Sequence, residues 1–423
     1  MDHFTLRDGA LHAEDVPLTA IAEAVGTPVY VYSAATIERH IRVFRDALAG
    51  AGEGEPLIAF AVKANPNGAV LAAMARAGLG ADVVSAGELL RAVAAGIAPE
   101  KIVFSGVGKT REEMAIALSH GIGQFNLESE PEAVTLSAVA SEMGREVAVA
   151  YRVNPDVDAG THAKISTGKS ENKFGIPIDT APEAYARLAA LPGLKARGVA
   201  VHIGSQLTDL APLEAAFAKV GALIAELRTA GHAITLADLG GGLGVSYNPA
   251  LPLPPSPADY GAMVKRVTTG WGVRLAFEPG RLIVANAGLL LSRVIRVKDG
   301  AVHPWVIVDA AMNDLLRPSL YDAWHDIRAI APTGERVVAN IVGPVCESGD
   351  TFAIAREMDA VSDSDLVGFF SAGAYGATMA GTYNSRALVP EVMVSGDKWA
   401  VVRPRPPLEA LIEAETIPDW LKA

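Results

Sequence analysis

Eight short apolar runs, at residues 57–62, 81–84, 101–104, 123–126, 147–152, 197–202, 234–238 and 273–277, alternate with alanine- and leucine-rich stretches. The runs are mostly continuous rather than alternating, as strands are when both faces of a parallel sheet are covered. The stretches at 86–95, 110–119, 130–143 and 211–230 repeat apolar residues at three- and four-residue intervals and read as helices. Eight strand–helix units over residues 55–280 have the count and length of a (β/α)8 barrel. An open doubly wound sheet would instead need a glycine-rich turn after its first strand. Here that strand is followed by Lys63-Ala64-Asn65-Pro66-Asn67, and the later Gly240-Gly241-Gly242-Leu243-Gly244 has the wrong spacing for a dinucleotide fingerprint.

Beyond residue 280 the texture changes to branched runs at 282–297, 305–309, 337–342, 351–355, 366–370 and 389–394, with a hairpin turn expected at Ser395-Gly396-Asp397. The expected fold class is α/β: a TIM-like (β/α)8 barrel at 33–280, with a second, mostly β domain formed by 1–32 and 281–423. The run at 29–32 is expected to cross between the two. A chain of 423 residues is long enough for two cores.

With 36 Lys+Arg against 48 Asp+Glu, the net charge of −12 argues against a nucleic-acid or anionic-membrane surface. No apolar run reaches membrane-spanning length, and the N-terminal Met1-Asp2-His3-Phe4 does not open a secretory signal. The single cysteine excludes an intrachain disulfide framework and suits a reducing compartment, so a cytoplasmic location is expected. No HExxH pattern is present, and no metal is expected.

A barrel places its chemistry at the carboxyl ends of its strands. Lys63 follows the first run, His202 closes the sixth, Gly240-Gly241-Gly242 follow the seventh, and Glu278 closes the eighth. Lys63 is either an exposed strand-end lysine or a nucleophilic amine that forms a Schiff base with an aldehyde cofactor. The three glycines are either a tight turn or a backbone cradle for phosphate, a placement that barrels favour beside their last two strands. His202 is either a structural histidine or a group stacked on a flat cofactor. Glu278-Pro279-Gly280-Arg281 reads as a surface ion pair or as a carboxylate for a pyridine nitrogen beside a cation for an anionic group.

Phe60-Ala61-Val62-Lys63-Ala64-Asn65, His202-Ile203-Gly204-Ser205-Gln206, Gly240-Gly241-Gly242, Glu278-Pro279-Gly280-Arg281, Arg317-Pro318-Ser319-Leu320-Tyr321 and Cys346-Glu347-Ser348-Gly349-Asp350 occur in that order. The ordered set resembles the diaminopimelate decarboxylases, pyridoxal-phosphate enzymes that share the alanine-racemase barrel fold. The resemblance implies pyridoxal 5'-phosphate joined to Lys63, with His202 against its ring and Glu278 at its pyridine nitrogen. Gly240, Gly241, Gly242, Ser205 and Tyr375 would hold the phosphate. Arg281, Arg317 and Tyr321 would bind substrate. Cys346 would return a proton and Glu347 would recognise the distal amino group, both in the other subunit's site, making a homodimer the catalytic unit. The implied reaction converts meso-2,6-diaminopimelate to L-lysine and CO2.

Ile165-Ser166-Thr167-Gly168 and Glu171-Asn172-Lys173-Phe174-Gly175 resemble a loop and segment of the same family. The departure is at Ala380-Gly381-Thr382-Tyr383-Asn384-Ser385-Arg386-Ala387-Leu388, which differs from the usual approach to Tyr-Asn and lacks the usual proline after the arginine. It leaves open a decarboxylase of another diamino or basic amino acid. A racemase, expected from the resemblance to carry arginine in place of Glu278, and a noncatalytic pyridoxal-phosphate-binding protein complete the alternatives.

Overall fold

A computed structural model of the chain describes residues 2–158 and 173–422 and divides into two compact units. One comprises residues 38–246 and 252–283; the other comprises 1–37, 247–251 and 284–423.

The first unit is a closed parallel barrel. Its strands are β1 (Leu57–Ala61), β2 (Gly80–Val83), β3 (Ile102–Phe104), β4 (Gln124–Leu127), β5 (Val147–Asn154), β6 (Leu194–Val201), β7 (Leu236–Asp238) and β8 (Arg274–Phe277). Each pairs in parallel with the next, and β8 closes onto β1 through Ala276↔Leu57 and Phe277↔Ile58. All eight expected strands are present, with ends moved by no more than three residues. The four expected helices are present as Ala86–Ala94, Arg111–His120, Glu130–Glu142 and Ala211–Thr229.

Local chemistry starts these helices cleanly. Ser85 and Ser129 cap theirs by accepting from Glu88 N–H and Glu132 N–H, while Thr110 and Glu113 form a reciprocal capping box. In the proline-rich stretch Leu251 and Leu253 are exposed, until Ser256 and Asp259 box the start of the helix Pro257–Thr268.

The second unit is built on a largely antiparallel sheet. The strand Gly288–Lys298 pairs with Val29–Ser33, Trp305–Val308 and Leu366–Phe369, and Val29–Ser33 also pairs with Glu391–Ser395. Val29–Ser33 is thus a central strand of this sheet, from which the chain runs into the helix Ala34–Leu48. Leu18, Ile21, Val29, Val31, Leu289, Leu291, Val392 and Val394 form its core. The expected hairpin joins Glu391–Ser395 to Lys398–Arg403, with Gly396 at φ +61° supplying the left-handed turn residue. The expected strand at 282–297 begins later, because Arg281–Val284 is helical. Among the described residues, no helix is long and apolar enough to cross a membrane.

Candidate functional site

The carboxyl end of the barrel collects charge that its apolar strands would not otherwise tolerate. Ala61 of β1 is level with Asp82 of β2, so Lys63, two residues on, reaches back to the Asp82 carboxylate and forms an ion pair with it. Asp82 is completely buried, whereas the Lys63 side chain keeps 38% of its surface. Asp82 Oδ1 has no hydrogen-bond partner among the described residues. A buried carboxylate needs an adjacent cation, and here that cation is the amine singled out in the sequence.

Asp238 closes β7 and is level with Ala276, which places Glu278 beyond it on the neighbouring strand. Asn126 of β4 donates to Asp238 Oδ2 at 2.9 Å and to Glu278 Oε1 at 3.3 Å, and Ser105 also donates to Glu278 at 3.3 Å. Burial pushes the Glu278 carboxyl well above the ordinary carboxylate range; the Asp238 and Asp82 carboxylates push the same way, against the opposing Lys63 ammonium. Asp238 is raised too, chiefly by burial. Glu278 therefore favours its proton while no second cation or basic nitrogen shares it.

His202 follows β6. Its Nδ1 accepts the Gly241 N–H at 3.3 Å, so it carries a lone pair there. Burial, Arg152 and Lys63 together hold its pKa well below the usual imidazole value. The ring is neutral at physiological pH.

The three glycines are demanded by packing. A Cβ on Gly240 would meet the Val201 carbonyl oxygen at 2.5 Å, one on Gly242 would meet that of Gly204 at 2.5 Å, and one on Gly241 would collide with that of Glu278. Gly240 and Gly242 also lie at φ +66° and +119°. Only glycine lets this turn lie flat between the ends of β6 and β8. Arg281, nearly buried, donates to Ser205 Oγ at 3.3 Å, which joins two more of the expected residues in this unit.

The second unit holds the others. Arg317 and Tyr321 bound a short helix, with Arg317 nearly buried. Tyr375 is half-buried at φ +56°. Cys346 and Glu347 are exposed in the loop between Arg336–Val342 and Thr351–Asp359, so the cysteine is not a core residue. The divergent segment 380–388 lies against this loop. Asn384 Oδ1 accepts the Cys346 N–H at 3.4 Å, and Tyr383 hydrogen-bonds to the Glu347 carboxylate, which raises the tyrosine's pKa.

Residues 165–168, 171 and 172 lie outside the described residues. Of the adjoining motif, Phe174 stacks under the Arg152 guanidinium at 4.7 Å and Gly175 N–H donates to Glu128 at 2.8 Å. Sequence reasoning missed Asp82, Asn126 and Asp238, which sit inside strands rather than after them. A charged residue in the middle of an apolar run, as in Gly80-Ala81-Asp82-Val83, was the available signal. Among the described residues no group of three or more histidine, cysteine or acidic side chains could hold a metal ion.

Residues 34–285 match the family model described as the pyridoxal-binding domain of pyridoxal-dependent decarboxylases. A diaminopimelate decarboxylase of Zymomonas mobilis is 58% identical over 418 residues, covering 99% of each chain. A diaminopimelate decarboxylase of M. jannaschii, solved with L-lysine, superposes with a TM-score of 0.94 at 35% identity, covering 100% of this chain and 99% of that one. The Helicobacter pylori enzyme with L-lysine gives 0.90 at 39% identity, over 94% and 98%.

The barrel residues fit pyridoxal phosphate on their own chemistry. Lys63 offers the amine, the neutral His202 an uncharged ring, and Glu278 a buried proton that a pyridine nitrogen can share.

Proposed function

Because this chain belongs to the pyridoxal-dependent decarboxylases, we propose that it converts meso-2,6-diaminopimelate to L-lysine and CO2. The observation that carries the reading is that, at one end of one barrel, the Lys63 amine, ion-paired to Asp82, lies within electrostatic reach of a buried, proton-favouring Glu278. Bound pyridoxal 5'-phosphate supplies a conjugated ring that accepts the electron pair left when CO2 departs.

The chain's own residues do the rest. Lys63 would hold the cofactor covalently, and its amine has the Asp82 carboxylate as its counter-ion. Glu278 would keep a proton at the ring nitrogen, where it would stabilise the charge that develops during the reaction. Neutral His202 would pack against the ring without adding a competing positive charge. Gly240, Gly241, Gly242, Ser205 and Tyr375 would hold the phosphate. Arg281, Arg317 and Tyr321 bind the substrate, whose carboxylates suit the planar guanidinium fork. Cys346 returns the proton and Glu347 recognises the distal ammonium, both in the site of a second copy. The working unit is a homodimer in the cytoplasm, a compartment that keeps the lone cysteine reduced.

The test is incubation of the cofactor-loaded protein with meso-diaminopimelate and related diamino acids, with CO2 measured and the amine product identified. Stoichiometric L-lysine is expected. CO2 from a different diamino acid alone would correct the substrate, and none from any would remove the assignment.

A further inference from the structure

Arg317 sits in a cage built by residues that no sequence motif connects to it. Its Nη1 lies 2.9 Å from Nε2 of His325, and its guanidinium carbon lies 4.3 Å from the centre of the Tyr247 ring. That ring in turn meets His325 edge-on at 5.4 Å. The other imidazole nitrogen, Nδ1, lies 2.8 Å from the Phe370 carbonyl oxygen.

The Arg317 and Phe370 contacts together fit one protonation state. A guanidinium only donates, so Nε2 must present a lone pair; a carbonyl only accepts, so Nδ1 must carry the hydrogen. His325 is thus a neutral imidazole with its proton on Nδ1. It is itself held from behind: its own carbonyl accepts from Arg356 at 2.8 Å, Arg356 stacks on Trp324 at 4.2 Å, and Phe370 N–H bonds to the Asp326 carbonyl at 2.8 Å. The short helix Arg317–Tyr321 ends at Asp322 in the left-handed conformation, and this reversal returns the chain so that His325 faces Arg317.

We infer that His325 is a positioning residue for substrate recognition, fixing the plane in which the Arg317 guanidinium meets a substrate carboxylate. The inference rests on the reading of Arg317 as a substrate-binding residue. An arginine free to rotate would have to be ordered at each binding event, and an ordered one keeps that cost out of the affinity.

The test uses the cofactor-loaded enzyme and four variants: His325→Leu, His325→Gln, His325→Asn and Arg317→Ala. Glutamine places an acceptor where Nε2 stands, whereas asparagine keeps a donor for Phe370 but is too short to reach the arginine. His325→Leu and His325→Asn are expected to raise KM for meso-diaminopimelate, and the inhibition constant of L-lysine, by about tenfold or more. Their kcat should stay within about twofold of the parent, the pattern of lost uniform binding. His325→Gln should recover most of the affinity. Combining His325→Leu with Arg317→Ala should cost no more than Arg317→Ala alone.

Unchanged affinity in both the leucine and asparagine variants, equal losses for glutamine and asparagine, or additive effects in the double variant would each overturn the role of His325. If Arg317→Ala alone leaves KM and L-lysine inhibition unchanged, the substrate role of Arg317 fails first, a separate and recognisable result.

Discussion

Lys63 is bonded to Asp82, a fully buried carboxylate whose other oxygen has no hydrogen-bond partner among the described residues. An anion so placed is retained at a cost that its cation must offset. Asp82→Asn is expected to lower kcat by about tenfold to a hundredfold. Borohydride should still fix the cofactor to Lys63 in this variant, as read by peptide mass analysis. Lys63→Ala should abolish that adduct altogether, and an adduct on another lysine would overturn the site.

Glu278 links the same cluster to pH. In the folded, cofactor-free protein its proton is held more tightly than in the unfolded chain, where a glutamate titrates at about 4.3. A raised carboxyl contributes stability that is fully present below the unfolded value and lost as pH rises through the folded one. Asp238 acts in the same direction. The cofactor-free protein should therefore lose melting temperature, relative to Glu278→Gln, as pH is raised from the ordinary carboxylate range toward neutrality. Parallel melting curves for the two proteins across that range would refute the argument. In the loaded enzyme the same substitution should lower kcat by about a hundredfold or more, because the ring nitrogen loses its charged partner.

The contrast between Asp82 and Lys63 also marks what the sequence could disclose. Strands buried on both faces produce continuous apolar runs, so all eight barrel strands were legible, and residues standing just after them, such as Lys63 and Glu278, were visible as candidates. Asp82, Asn126 and Asp238 were not, because one polar residue inside an apolar run does not change its periodicity, and its partner lies on another strand. The glycines at 240–242 were legible as a turn, but their collision with three neighbouring carbonyls is a property of the closed barrel. His325 had no local signal at all: it gains meaning only when the left-handed Asp322 folds the chain back onto Arg317.

Asp350 anchors the loop that carries Cys346 and Glu347. One oxygen accepts the Met312 N–H at 2.6 Å and the other the Val345 N–H at 2.7 Å, while its own N–H donates to the Glu347 carbonyl at 3.1 Å. The carboxylate lies so close to Gly343 that any side chain there would displace it. Asparagine has one acceptor oxygen for two donors. Asp350→Asn should therefore lower kcat by about tenfold through loss of loop geometry. On a Cys346→Ala background it should add little, because both changes disable one proton-delivering loop. Full additivity in steady-state kinetics would show that the clamp acts elsewhere.

Cys346 and Lys63 also allow the shared-site proposal to be tested without a structure of the assembly. If each site takes its lysine from one subunit and its cysteine from another, Lys63→Ala and Cys346→Ala proteins are each nearly inactive alone. Mixing them after reversible dissociation yields heterodimers in which one site carries both substitutions and the other carries neither. With equal amounts and random pairing, half the dimers are mixed and half their sites are intact, so about a quarter of the parent activity should return. If both residues of a site come from one chain, every site in every dimer keeps one defect and nothing returns. Activity measured against mixing ratio separates the two, with a maximum at equal proportions expected only for the shared arrangement.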